Sequence, residues 1–288
     1  MEMGRCLTRL AAACVLCVGS LGLAGCETNP YTGRHQLLMT TVADEMNLGA
    51  QAYSQVKSDP KVHLSQDPRE IEPVKRVAGR IIEAAKRSKY ADMAKQFQWD
   101  VTVIKDDKTM NAFALPGGKI AVYTGIFPVA KTEAGLAAVL GHEVIHALAR
   151  HGAERMSQGK LTNAALEVAG AAIGSGGTNP LLGQVTMAAL GAGAQVGVLL
   201  PFSRAHESEA DYIGVLLAAD AGYDPQESIH LWERMEQLSG GGGSAEFFST
   251  HPGHETRIQR LKKWMSEAMA IYQKRSPVPA AVLPTVGK

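Results

Sequence analysis

Residues 132–158 read TEAGLAAVLGHEVIHALARHGAERMSQ, and the center of that stretch is His142-Glu143-Val144-Ile145-His146. Alanine and leucine dominate its first half, which favors helix, and Thr132 followed by Glu133 supplies a cap and an acidic first turn. The spacing predicts one helix from Thr132 to about Gln158. Histidines four apart on a helix project from the same face, one turn apart. That spacing suits two imidazoles holding one zinc ion, with Glu143 placed to take a proton from a water beside it. Composition alone yields on the order of 0.02 such patterns in a chain of this length. The plainer alternative is two core histidines satisfied by hydrogen bonds.

Two histidines are not a catalytic zinc site, since a third protein ligand is required and one position stays open. A third histidine six residues after His146 fails on register, because position 152 is Gly152; His151 is one residue out and reads as a solvated or helix-terminal side chain. A glutamate on another helix is the remaining route, with Glu167, Glu207 and Glu209 as candidates. Glu207 has Asp211 one turn on, so that one helix face supplies a ligand and a carboxylate to orient a ligating imidazole. Arg204 and Arg257 are candidates to anchor that acidic face or a developing oxyanion, with ordinary surface salt bridges as the alternative.

Outward from this center, helices are expected over about Val42–Lys57, Arg69–Lys89, Ser203 onward, Asp224 to about Leu238, and Glu255–Tyr272. Trp99–Lys105 alternates as a strand, and Asn111–Leu115 with Ile120–Thr124 reads as two strands joined at Pro116-Gly117-Gly118. Asn111, Ala112 and Phe113 are expected on an exposed edge beside the cleft, where an extended peptide adds through main-chain bonds. The fold class is α+β, a mainly helical domain with a small sheet beside the cleft. The apolar segment Val185–Phe202 is read as a buried or hairpin helix ahead of a membrane span. Gly240–Gly243 is a loop.

Net charge is +1 and no basic run stands out, which argues against nucleic-acid partners. Arg5 and Arg9, an apolar run from Leu10 to Leu23, and Leu23-Ala24-Gly25-Cys26 look like a bacterial lipoprotein signal, residues 1–25, with Cys26 as the lipidation point. All four cysteines lie in this segment. Residues 26–41 are then a lipid-anchored linker, 42–275 the folded domain, and 276–288, with three prolines, a disordered tail. Glu27 after the cysteine favors the periplasmic face of the outer membrane.

HEVIH paired with FSRAHESEAD, together with NAFALPGGKIAVYTGIF, RHGAERM and STHPGHETRIQRL, resembles the gluzincin peptidases related to HtpX and the CAAX prenyl endopeptidases. Within them the periplasmic lipoprotein branch of LoiP and BepA is the nearest likeness. The resemblance runs from about Val42 to Leu261. It implies a zincin-like fold and a lipid-anchored zinc metalloendopeptidase acting on unfolded or misassembled envelope proteins, with one zinc per chain. It places His142, His146 and Glu207 on the metal and Glu143 as general base, and sets His251 nearby, to stabilize the oxyanion or to cap the zinc at rest. Its partners would be polypeptide substrates, the membrane through the lipid, and an envelope assembly machinery. Two alternatives stay open: an envelope chaperone or assembly-factor lipoprotein whose zinc site is capped and largely inactive, and a structural zinc lipoprotein.

Overall fold

A computed structural model describes residues 25–172, 202–239, 251 and 255–286. The expected hairpin forms as drawn: β4 (Ala112–Leu115) pairs antiparallel with β5 (Lys119–Tyr123), and β5 runs parallel to β3 (Asp100–Ile104), giving the order β3-β5-β4. Gly117 and Gly118 both have φ near +82°, a region that glycine enters without steric cost, so they make the turn. The sheet is small and the helices dominate, as an α+β class requires.

The long helices carry their caps in the sequence. Helix α1 (Val42–Ser58) begins where Thr41 Oγ1 accepts from Asp44 N at 3.1 Å. Asp67 caps α2 (Pro68–Ala85), with proline at its first position, where a missing N–H costs nothing. Helix α2 stops at Ala85, four residues short of expectation, because Ser88 begins a turn into a short α3 (Ala91–Gln96) that periodicity does not reveal. After a 3₁₀ turn over Thr124–Ile126 and α4 (Phe127–Ala130), Thr132 caps the zinc-motif helix α5 (Glu133–Leu148) by accepting from Gly135 N at 3.0 Å.

The single helix expected over 132–158 is two. Helix α5 ends at Leu148 and α6 (His151–Ala172) starts at His151, because Arg150 adopts φ +58°. That conformation is unfavorable for a side chain with a Cβ. The offset comes from residues distant in sequence: the Arg150 guanidinium donates to Glu45 Oε1 at 2.6 Å, to Thr40 O at 2.9 Å and to Glu27 Oε2 at 2.5 Å. Ser203 accepts from His206 N to cap α7 (Arg204–Asp220), and α8 (Glu227–Ser239) and α9 (Glu255–Tyr272) follow. The main core is built from α2, α5, α7, α8 and one face of the sheet, around Ile81, Leu136, Leu140, Ile145, Ile213 and Tyr223.

Two terminal expectations need correcting. Residues 26–41 are not a bare linker: β1 (Cys26–Thr28) pairs with β2 (His35–Leu37), and Gln36 and Leu38 are buried. The tail after 276 is docked. Ala281 O accepts from Glu133 N at 2.9 Å, Leu283 N donates to Lys131 O at 2.9 Å, and Leu283 is 5% exposed. A proline-rich segment lacks donors but keeps its carbonyls, and here one satisfies a free N–H of the first turn of α5. Most of the Val185–Phe202 segment and the loop at Gly240–Gly243 lie outside the described residues. None of the described helices is long and apolar enough to cross a membrane.

Candidate metal centre

Two helices set the site. Helix α5 brings His142, Glu143 and His146; α7 brings Glu207 and Asp211. Their backbones meet at Gly141 and Gly214, where a Cβ on Gly141 would stand 2.7 Å from Gly214 O. Glu207, Asp211 and Gly214 follow the i, i+4, i+7 spacing of one helical stripe, and that stripe faces α5. Arg257 reaches in from α9, and His251 from the chain ahead of it.

The Nε2 atoms of His142 and His146 lie 3.0 Å apart. Glu207 Oε2 is 3.5 Å from His142 Nε2, and Oε1 is 3.4 Å from His146 Nε2. His251 Nδ1 stands 2.9 Å from Glu207 Oε1 and 3.2 Å from His142 Nε2. One ligand atom from each of the four residues lies within 4.8 Å of every other. A tetrahedral ion bound at roughly 2.0–2.1 Å needs donors about 3.3 Å apart, so nitrogen and carboxylate donors at this separation fit zinc. Glu143 Oε1 is buried and accepts no hydrogen bond among the described residues; its ion-pair contact is His251 Nε2 at 3.5 Å. A buried carboxylate oxygen that accepts no hydrogen bond, beside such a donor set, is what a proton acceptor requires.

The electrostatics agree. Burial pushes the Glu143 carboxyl above its ordinary range, partly opposed by His251 and His142. Burial also opposes charge on Glu207, but His251 and Arg257 overcome it and hold this carboxyl well below the usual range. Burial drives the His146 imidazole well below its ordinary value, leaving it neutral as ligation demands. Asp211 Oδ1 accepts from His142 Nδ1 at 3.0 Å, turning Nε2 toward the cluster. Arg257 ties the acidic face together: Nη2 donates to Glu207 Oε2 at 2.7 Å and to Asp211 Oδ1 at 2.8 Å, while its guanidinium stacks over Trp232.

The structure therefore brings His142, Glu143, His146, Glu207, Asp211, His251 and Arg257 together. Arg204 is exposed on the first turn of α7 and makes no ion pair among the described residues. Ala112 and Phe113 belong to an edge strand and Asn111 immediately precedes it, but their side chains are buried, not exposed; Phe113 packs against Tyr123 in a second core cluster. What faces the edge is main chain. Tyr123 N donates to Asn111 O, so antiparallel alternation turns the Ala112 and Ala114 groups away from β5.

His151 is a further correction: it is fully buried, with Nδ1 3.0 Å from His146 Nδ1 and Nε2 3.1 Å from Glu209 Oε2. Phe202, which the sequence did not single out, lies with its ring centroid 3.8 Å from that of His146 and 5.5 Å from that of His251. Arg155 covers its other side.

The model of Peptidase family M48 matches residues 69–265, spanning all of these side chains. The chain is 38% identical over 245 residues to Mitochondrial metalloendopeptidase OMA1 of Schizosaccharomyces pombe, covering 84% of this chain and 67% of that protein. To the Saccharomyces cerevisiae protein of the same name it is 33% identical over 260 residues, 85% and 70% of the two chains. Beta-barrel assembly-enhancing protease of Escherichia coli strain K12 is 27% identical over 236 residues, covering 81% of this chain and 46% of its own length. These matches overturn the outer-membrane, periplasmic address: the relatives with the higher identities are mitochondrial. The placement in the LoiP and BepA lipoprotein branch, the lipid anchor and the envelope assembly partner lose their support with it.

Proposed function

The chain belongs to peptidase family M48 and is a zinc metalloendopeptidase, and from that premise we propose that its substrates are unfolded or misassembled polypeptides taken in extended form. The single observation that carries the chemistry is the buried Glu143 oxygen, which accepts no hydrogen bond among the described residues and stands beside four converging ligand side chains. His142, His146 and Glu207 would hold zinc, which would supply a Lewis acid for the peptide carbonyl and for water. Glu143 takes the proton of the attacking water and returns it to the leaving amine. Asp211 keeps His142 in the tautomer that presents Nε2. His251 stands where a fourth donor would stand and closes the site at rest; moved aside, it is within reach of the oxyanion.

Support for extended substrates comes from β4. Asn111 Oδ1 already holds the Ala112 N–H at 2.8 Å, so the Ala112 carbonyl and the outward main-chain groups at Ala114 are what offer hydrogen bonds that any extended backbone can make, which selects for conformation over sequence. The idle-site alternative gains nothing from the family match, which spans every residue the chemistry needs.

The test compares wild type with Glu143→Gln, each loaded with zinc and assayed on a reduced, alkylated polypeptide and on the same protein folded. Wild type is expected to cleave the unfolded form, and the variant to bind zinc while losing about 10²–10⁴-fold in rate. Equal rates for the two enzymes would remove Glu143 from the mechanism. Equal cleavage of folded and unfolded forms would remove the proposed substrate class.

A further inference from the structure

The N-terminal hairpin reaches the zinc site from behind. Asn29 shapes its turn: Oδ1 accepts from Tyr31 N at 2.9 Å and from Thr32 N at 3.2 Å, and Gly33 takes φ +71°. The turn delivers Arg34 into a buried acidic pair. Arg34 Nη1 and Nη2 donate to Glu154 at 2.7 and 2.8 Å, and Nη2 also donates to Glu209 Oε2 at 2.8 Å. Thr32 Oγ1 donates to the other Glu209 oxygen. Gln36 Nε2 donates to Ala149 O at 2.7 Å, at the break between α5 and α6.

We propose that Arg34, Glu209 and His151 form a positioning relay for His146, which makes the hairpin around residues 26–37 a working part of the peptidase site. The proton bookkeeping is specific. Both Glu209 oxygens accept, so His151 donates from Nε2 and leaves Nδ1 as a lone pair. His146 must then donate from Nδ1, which leaves its Nε2 lone pair facing His142 and Glu207. The relay fixes for His146 the tautomer that Asp211 fixes for His142, but through one more imidazole. Glu209 alone would not hold this arrangement, because a buried carboxylate needs a cation, and Arg34 is the cation that reaches it. His206 donates to Glu154 Oε2 at 2.9 Å and stacks on His151 with centroids 4.5 Å apart, which closes the far side of the pair.

This inference rests on His146 being a zinc ligand, so the experiment separates the two claims. Zinc dissociation constants are measured by chelator competition on the full chain for wild type, His146→Ala, Arg34→Met, Glu209→Leu, Glu209→Gln and Ser157→Ala. The cobalt-substituted visible spectrum gives a second readout. Ser157→Ala cuts a different tie of the same segment, the 2.8 Å bond from Met39 N, and does not touch the relay. Arg34→Met and Glu209→Leu are expected to weaken zinc about 10–100-fold and shift the cobalt spectrum. Glu209→Gln recovers most of that loss, since its oxygen faces His151 and Arg34 while its NH₂ faces the Thr32 hydroxyl. Ser157→Ala leaves zinc affinity as in wild type while lowering the unfolding midpoint. If His146→Ala binds zinc as wild type does, the ligand assignment itself fails. If His146→Ala loses zinc but Arg34→Met and Glu209→Leu do not, or if Ser157→Ala loses as much as they do, the relay is overturned and the hairpin is only structural.

Discussion

Gly141→Ala tests whether the spacing of two helices sets the metal site. The added methyl would lie 2.7 Å from Gly214 O, where ordinary contact begins at 3.4 Å. Neither atom belongs to a flexible side chain, so α5 and α7 must part by about 0.7 Å at this crossing. Zinc ligand distances hold within about 0.2 Å, and His142 and Glu207 stand on opposite sides of the crossing. Overpacking costs about 1–3 kcal/mol, but Gly→Ala inside a helix returns about 0.5–1 kcal/mol. The fold therefore loses little while the site loses much. Zinc affinity is expected to fall at least tenfold, about 1.4 kcal/mol, with a drop of only a few degrees in the unfolding midpoint of the zinc-free protein. The control is Gly79→Ala, in the interior of α2 with nothing within 4 Å of the new methyl. It should raise stability and leave zinc binding alone. Wild-type zinc affinity in Gly141→Ala, measured by the same chelator competition, would refute the claim that this contact sets the ligand spacing.

Arg257→Met leaves Glu207 and Asp211 buried without their cation, which should cost about 3–5 kcal/mol in the zinc-free protein and less once zinc restores positive charge; urea unfolding with and without zinc measures the difference. Acid should loosen the hairpin. Burial raises the Glu154 carboxyl, but bonds from His206 and Arg34 more than reverse that and hold it below its ordinary 4.5. Its contribution is then fully present above about pH 4.5 and lost as pH falls through the lowered value, so unfolding midpoints followed from about pH 6 to 3 should fall less steeply in Glu154→Gln than in wild type. Deleting residues 276–288 removes the acceptor for Glu133 N and uncovers the pocket of Leu283, at about 2–4 kcal/mol in urea unfolding; an unchanged midpoint would contradict the docked tail.

What the sequence made legible was local. The one-turn spacings of His142 with His146 and of Glu207 with Asp211 are periodicities within single helices, and the structure sets both pairs on facing stripes. His151 shows why the rest was not. On one continuous helix it would point about 140° away from His146, and by that geometry it belongs to solvent. The left-handed turn at Arg150 returns it to the site, and nothing in the string ALARHGAERM marks that turn, because the stabilizing partners are Glu45, Thr40 and Glu27, more than a hundred residues upstream. Glu209 lost to Glu207 for the same reason: the one-turn test asks only about its own helix, while its partners Arg34, Thr32 and His151 come from the hairpin and α6. Helical periodicity therefore finds the residues proposed to hold the metal, and long-range contacts supply the hydrogen bonds behind the proposed tautomer of His146. A segment that reads as a linker thus carries Arg34, the cation that pairs with Glu154 and Glu209 behind the site.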